Sequence, residues 1–291
     1  MRIENFNINK HSKVFIIAEL SANHNGNLDI AIQTILAAKR AGADCIKLQT
    51  YTADTLTIDS KKKDFIVNGT IWHGKSLHDL YKKAYTPWEW HEEIFKVAKE
   101  QGLICFSSPF DKSAVDFLEK LNVPAYKIAS FEITDIPLIE YVASKGKPII
   151  ISTGIAEISD IELALDACRR MGNNDIALLK CTSSYPAPIE EANMCMVKDL
   201  ANRFDVIAGL SDHTIGSTVP IVATCFGAKI IEKHFILDRS VGGPDASFSM
   251  NESEFTEMVK AVREAEYSIG VIDYNLTEKQ IKGKNFSRSL Y

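Results

Sequence analysis

Cys45-Ile-Lys-Leu-Gln-Thr50 places a thiol, a lysine and a glutamine at every second position, with aliphatic residues between them. Side chains alternate across a strand, so Cys45, Lys47 and Gln49 share one face while Ile46 and Leu48 share the other. Ile230, Glu232 and His234 repeat the pattern near the other end of the chain, with Lys233 pointing the opposite way. Such a strand is apolar towards one layer and ends in chemistry on the other.

Outward from that stretch the same unit recurs. Short β-branched runs at 14–20, 45–50, 103–107, 125–129, 148–152, 176–182, 206–210 and 229–235 alternate with amphipathic segments such as 28–41, 158–171 and 252–269. Strands alternating with helices predict a parallel sheet, and eight such units predict a closed (β/α)8 TIM barrel, an α/β fold. A doubly wound open sheet would carry GxGxxG after its first strand, and Glu19-Leu-Ser-Ala-Asn-His-Asn-Gly26 does not match it. The barrel is expected over residues 1–275, with a long insertion at 51–101 that holds Trp72, Trp88 and Trp90. An insertion between βα units hangs over the C-terminal mouth as a lid, or is an added helical decoration.

Bulk properties narrow the partners. A chain of 291 residues, 46% hydrophobic and 24% charged, suits one large packed core. Its net charge of -5 argues against nucleic acid, which calls for a clustered surplus of Lys and Arg. Neither a signal peptide nor an apolar run of membrane-spanning length is legible, so no membrane partner is expected. Six cysteines without a CxxC pair suit reduced, packed thiols. A cytoplasmic protein is the expectation.

Polar residues gather where the strands end, which in a barrel is the functional face. They are Glu19; Lys47 and Gln49; Ser107 and Ser108; Lys127, Ser130 and Glu132; Ser152; Lys180, Thr182, Ser183 and Tyr185; Ser211, Asp212 and His213; and Glu232 and His234. Inward ammonium groups at Lys47, Lys127 and Lys180 need acidic partners or a bound anion. Hydroxyls at Ser130, Ser152 and Ser211 would complete a phosphate or carboxylate cradle; an internal ion network with Glu19 and Glu132 is the alternative. His213 and His234 end consecutive strands, with Asp212, Glu232 and Glu19 close by as water-holding groups. Two imidazoles plus waters suit an open Mn²⁺ or Mg²⁺ site better than a closed zinc. His11, His24, His73, His78 and His91 are expected mostly at the surface, though His24 could line the mouth. A Schiff-base lysine at Lys127 or Lys180, or a Cys181 thiolate, is the rival chemistry, and no GxSxG elbow exists. Cys181 has no better claim than Cys105 to be more than packing.

Taken in order, Ile17-Ala-Glu-Leu-Ser-Ala-Asn-His-Asn-Gly26, Ala41-Gly-Ala-Asp-Cys-Ile-Lys-Leu-Gln-Thr50, Phe106-Ser-Ser-Pro-Phe110, Ala125-Tyr-Lys-Ile-Ala-Ser130, Ile151-Ser-Thr-Gly154, Gly209-Leu-Ser-Asp-His-Thr214 and Glu232-Lys-His-Phe235 resemble the sialic acid synthase family over almost the whole chain. These enzymes condense phosphoenolpyruvate with an amino-sugar aldehyde. Tyr85-Thr-Pro-Trp-Glu-Trp90, Cys105-Phe-Ser-Ser-Pro109 and Ser287-Arg-Ser-Leu-Tyr291 look most like the pseudaminic acid branch, whose sugar is 2,4-diacetamido-2,4,6-trideoxy-L-altrose. The resemblance implies that His213 and His234 bind a divalent metal and are catalytic together with Glu19 and Glu132. It further implies that Lys47, Ser108, Lys127, Ser130, Ser152, Ser183 and Ser211 hold phosphoenolpyruvate, and that Gln49, Tyr185 and Asp245 hold the sugar. Ser108 and Ser183 stand where the sialic acid branch has threonine and asparagine, which fits a different sugar. The family's C-terminal antifreeze-like domain reaches across a homodimer; here residues 276–291 are expected to be the start of its linker and the domain itself to be absent. The same chemistry giving sialic or legionaminic acid, a barrel aldolase, and a non-catalytic ligand-binding barrel are the competing expectations.

Overall fold

The computed structural model of the chain describes residues 1–287, so of the 287–291 stretch all but Ser287 lies outside the described residues. A short antiparallel hairpin, β1 (Arg2–Ile3) and β2 (Phe6–Asn7), precedes the barrel. Eight strands follow: β3 (Phe15–Glu19), β4 (Cys45–Thr50), β5 (Ile104–Pro109), β6 (Tyr126–Ile128), β7 (Ile149–Ser152), β8 (Ile176–Cys181), β9 (Ile207–Asp212) and β10 (Ile230–His234). All pair in parallel with their sequence neighbours, and β10 closes on β3. The expected strands are therefore all present, each end within a few residues of its sequence reading. The hairpin is missed because two-residue strands carry no periodicity.

Pairing fixes which residues face inward. Phe15, Ile17, Cys45, Ile104, Phe106, Ala125, Ile150, Ala177, Leu179 and Ile230 form one buried cluster inside the barrel, capped by Ile3 and Ile8 of the hairpin segment. A two-residue step towards the C-terminal end along the same faces reaches Glu19, Lys47, Ser108, Lys127, Ser152, Cys181, Ser211 and Glu232. The lower interior is thus dry and apolar, and polarity begins in one layer. A second, larger cluster (Ile16, Ala18, Ile46, Leu48, Ile128, Ile151, Leu178, Ile231 and others) lies between strands and helices. Gly209 is required where β9 meets β10, because a Cβ there would lie 2.3 Å from the Ile230 carbonyl oxygen.

Helix starts are set locally. Asn27 caps the helix Leu28–Arg40 by accepting from the Asp29 and Ile30 amides, and Asn251 forms a capping box with Glu254 on Glu252–Ile269. Residues 51–90 fold as two short helices, Ala53–Leu56 and Leu77–Ala84, and two single 3₁₀ turns, before the crossover helix His91–Glu100. An antiparallel bridge between Ile66 and Ser76 folds the intervening loop back on itself.

Two side chains face differently from expectation. Lys180 points out of the barrel, donating to the Cys181 carbonyl at 2.7 Å and Thr182 Oγ1 at 3.3 Å. It shares the phase of Leu178, so Cys181 takes the inward place. Asp212 also points outward, where it pairs with Lys233 at 2.5 Å. Its carboxylate is turned away from the histidines it was expected to serve.

Candidate active site

The C-terminal ends of the strands open into a cavity of about 420 Å³. Of the site residues singled out above, Glu19, Lys47, Gln49, Lys127, Ser130, Glu132, Ser152, Ser183, Tyr185, Ser211, His213, His234 and Asp245 line it together. Ser108 does not; it is buried behind Lys47, whose ammonium donates to Ser108 Oγ at 3.3 Å. Cys181 does line the cavity, so its claim differs from that of Cys105, which packs in the outer cluster.

Charges interlock on the floor. Lys47 is in contact with Glu19 and stands 3.7 Å from Glu232, while Lys127 donates to Ser152 Oγ at 2.7 Å and stands 3.8 Å from the same Glu232 oxygen. Ser211 Oγ donates to Glu232 at 3.2 Å. Glu232 is therefore the hub, in the place the sequence reading gave to Glu132. Glu132 makes no ion pair among the described residues and leaves Oε2 buried and unpartnered. Glu232's place facing both lysines was recoverable from the strand alternation that sets Glu232 and Lys47 inward.

Burial shifts these groups in different directions. It would raise the Glu232 carboxyl, but the charges of Lys127 and Lys47 outweigh it and hold the group below the usual range. Burial wins at Glu19, pushing it up against the pull of Lys47, and moves Glu132 up to about 7. Burial also pushes the Lys127 ammonium down. Carboxyls with raised pKa can be neutral near pH 7, which leaves the two lysines sharing one charged partner, Glu232, and so a net positive charge to face an anion.

Beside the lysines lies a small concave cradle. The Gly154 amide donates to Ser130 Oγ at 3.2 Å, and a Cβ on Gly154 would come within 2.1 Å of Ser183 Oγ and 2.7 Å of Ser130 Oγ. Only glycine leaves that space open. Sequence reading passed over it, although the turn after Ile151-Ser-Thr carried the signal.

The two imidazoles stand with ring centroids 5.3 Å apart. His213 Nδ1 donates to the Thr182 carbonyl at 3.0 Å and lies 3.8 Å from Cys181 Sγ; burial would lower this ring, but those contacts outweigh it and hold it above the usual imidazole range. His234 Nδ1 is buried without a hydrogen-bond partner, and burial drives this ring well below the usual imidazole range, so it is neutral. Asp245 Oδ2 lies 3.9 Å from that nitrogen and accepts from Ser21 Oγ at 2.6 Å. An orphaned imidazole nitrogen next to a second imidazole and the Asp245 carboxyl fits a divalent cation that takes its other ligands from water or substrate. Among the described residues no group of three His, Cys, Asp or Glu side chains could by itself hold a metal.

Of the other histidines, His11 and His73 are exposed as expected, and three correct the sequence reading. His24 and His91 are fully buried and His78 nearly so, the last bound to Asp54 at 2.9 Å. His91 Nε2 meets Thr50 Oγ1 at 2.8 Å, which in turn meets Ser107 Oγ at 2.6 Å. His24 Nε2 meets Thr86 Oγ1 at 3.3 Å. Both histidines fasten residues 86–91 onto the strand ends.

Fold and cavity together define a (β/α)8-barrel enzyme whose cavity floor gathers inward lysines, serine hydroxyls and two imidazoles. The comparisons give the family: residues 34–274 match the NeuB family model, and the chain belongs to that family. It is 48% identical over its full length to pseudaminic acid synthase of Campylobacter jejuni serotype O:2, covering 84% of that protein. It is 49% identical over 95% of its length to pseudaminic acid synthase of Helicobacter pylori, covering 82% of it. Among solved structures, N-acetylneuraminic acid synthetase of Leptospira borgpetersenii superposes with a TM-score of 0.87 at 29% identity, covering 100% of this chain and 96% of that one.

Proposed function

We propose that the chain condenses phosphoenolpyruvate with 2,4-diacetamido-2,4,6-trideoxy-L-altrose, giving pseudaminic acid and inorganic phosphate. The observation that carries the reading is one cavity floor holding Lys47, Lys127, Ser152 and the paired imidazoles of His213 and His234 in a chain 48% identical throughout to a pseudaminic acid synthase.

Lys127, Ser130, Ser152, Ser183 and Ser211 bind the phosphate and carboxylate, with the Gly154 amide alongside them. Lys47 adds charge, and Ser108 acts on it from behind. Gln49, Tyr185 and Asp245 orient the sugar. NeuB-family synthases are generally metal-dependent. His213 and His234 would hold Mn²⁺ or Mg²⁺, which when bound polarises the sugar aldehyde.

C3 of phosphoenolpyruvate forms a bond to the aldehyde carbon, whose oxygen takes up a proton, and water adds to C2 with loss of one. Collapse of that centre breaks the C2–O bond and releases phosphate. Glu132 and Glu19, with their carboxyls raised towards neutrality, can hold and pass those protons. Within the same reading, residues 1–275 are the catalytic barrel of a cytoplasmic enzyme that works as a homodimer. No helix among the described residues is long and apolar enough to cross a membrane.

The test is phosphate release from phosphoenolpyruvate with Mn²⁺ and, in turn, the altrose derivative, N-acetylmannosamine and the legionaminic acid precursor. Release with the altrose derivative alone is the expected result. Phosphoenolpyruvate binding with no release from any sugar would sink the proposal in favour of a ligand-binding barrel.

A further inference from the structure

The cavity has two unlike sides. Charged and most hydroxyl groups come from the strand ends, whereas the side facing them is built by the insertion and is mainly apolar, presenting Leu56, Val67, Trp72, Leu77 and Leu80, with the hydroxyls of Thr70 and Tyr81 at its margins. Trp72 is anchored across the opening: its indole N–H donates to the Pro244 carbonyl at 2.9 Å, and its ring lies 5.6 Å from that of Tyr185. Tyr185 in turn packs 4.4 Å from the His213 ring. One half-buried side chain thus joins the insertion, the loop after β10 and the loop after β8 into a single apolar wall over the floor.

Phosphoenolpyruvate, with its phosphate and carboxylate, matches the floor and has nothing to place against such a wall. The second substrate must meet it. A hydroxyl set against Trp72, Leu77 and Leu80 would give up its water without gaining a partner, while a methyl group there only sheds water. We propose that this wall, with Trp72 and Leu77 as its main determinants, selects the sugar by receiving its methyl substituents, the C6 methyl of a 6-deoxy sugar above all, and by disfavouring a hydroxymethyl at that place. The inference rests on the condensing activity proposed above and assigns its sugar specificity to particular residues.

Selection by an apolar pocket against an added hydroxyl reaches roughly 10- to 100-fold, so wild-type enzyme should favour the 6-deoxy sugar over its 6-hydroxy counterpart by that ratio in kcat/KM. Trp72→Ala removes the wall's central member from a half-buried loop position. It is expected to raise KM for the sugar by about 10-fold, leave KM for phosphoenolpyruvate within about twofold, and bring the two sugars close to parity. Trp72→Phe keeps an aromatic ring but loses the bond to Pro244 and should retain most of the preference. Leu77→Asn supplies a hydrogen-bond partner and should raise turnover of the 6-hydroxy sugar. Wild-type enzyme that turns over both sugars equally, or an unchanged ratio in both Trp72→Ala and Leu77→Asn, overturns the inference while leaving the condensation intact. No phosphate from wild-type enzyme with any sugar defeats the functional reading instead, before a variant is made.

Discussion

Two buried ion pairs lie on opposite sides of the barrel wall and meet on β10. Lys233 faces the helices and is complete: its ammonium binds Asp212 at 2.5 Å and the Thr214 carbonyl at 2.7 Å, while the second Asp212 oxygen accepts from the Thr214 amide and hydroxyl. Glu232, its neighbour in sequence, faces the cavity, where it is shared between Lys47 and Lys127 at 3.7 and 3.8 Å and keeps Oε2 unpartnered. Equal burial is therefore compatible with opposite purposes. A structural pair leaves none of its buried charged atoms without a hydrogen-bond partner. A binding site leaves some of its groups unsatisfied until the ligand arrives.

The largest effect that could break this contrast lies at the histidines, the other incomplete groups of the inner layer. His213→Ala or His234→Ala should lower metal-dependent phosphate release by roughly 10³-fold or more, since a Lewis-acid cation supplies several kcal/mol of transition-state stabilisation. Thermal unfolding should change less in His234→Ala, whose Nδ1 has no hydrogen-bond partner, than in His213→Ala, which also loses the bond to the Thr182 carbonyl. Retained turnover in both variants would remove the cation from this site.

A paired experiment sharpens the comparison next. Lys233→Met leaves Asp212 buried and uncompensated, and should cost about 3–5 kcal/mol of stability. Lys127→Met removes a partner that Glu232 shares with Lys47; it should cost clearly less stability but raise KM for phosphoenolpyruvate by roughly 10²-fold, the loss of a charge-assisted contact. Urea unfolding read beside steady-state kinetics separates the two outcomes. If both variants lose stability equally, the inner lysines belong to the framework and the contrast fails.

How much of this was legible beforehand follows from the same wall. Period-two alternation is strict inside a strand, so β4 and β10 could be read residue by residue, and the floor from Glu19 to His234 followed from them. Phase is lost where a strand has no clear alternation. The run Ile-Ala-Leu-Leu-Lys-Cys of β8 is apolar on both faces, which is why Lys180 was placed inward and Cys181 passed over. Ser108 is inward-facing yet covered by Lys47, a matter of side-chain length that no pattern reports. Gly154 offers no side chain to notice, and His91 looks like a surface histidine until Thr50 and Ser107 are brought beneath it from two different strands.

That last network tests how dry the junction between the insertion and the barrel is. Burial lowers His91 from 6.5 to about 4, so the folded protein keeps the ring neutral while the unfolded chain protonates it. Between those values the unfolded state binds more protons, and stability from His91 falls as pH drops from 6.5 towards 4. Glu132, raised from 4.5 to about 7, has the opposite slope over much of the same window, so the wild-type profile alone is ambiguous. The difference between wild type and His91→Gln isolates the ring. At pH 7 the variant should be less stable by about 1 kcal/mol for its weakened bond to Thr50, and by pH 5 wild type should have lost about 2 kcal/mol relative to it, reversing their order. A difference that stays constant between pH 7 and pH 5 in urea unfolding would mean that the ring charges as freely in the folded protein as in water. The insertion would then be a loosely seated cover with solvent beneath it, and its apolar wall a poor candidate for choosing a sugar.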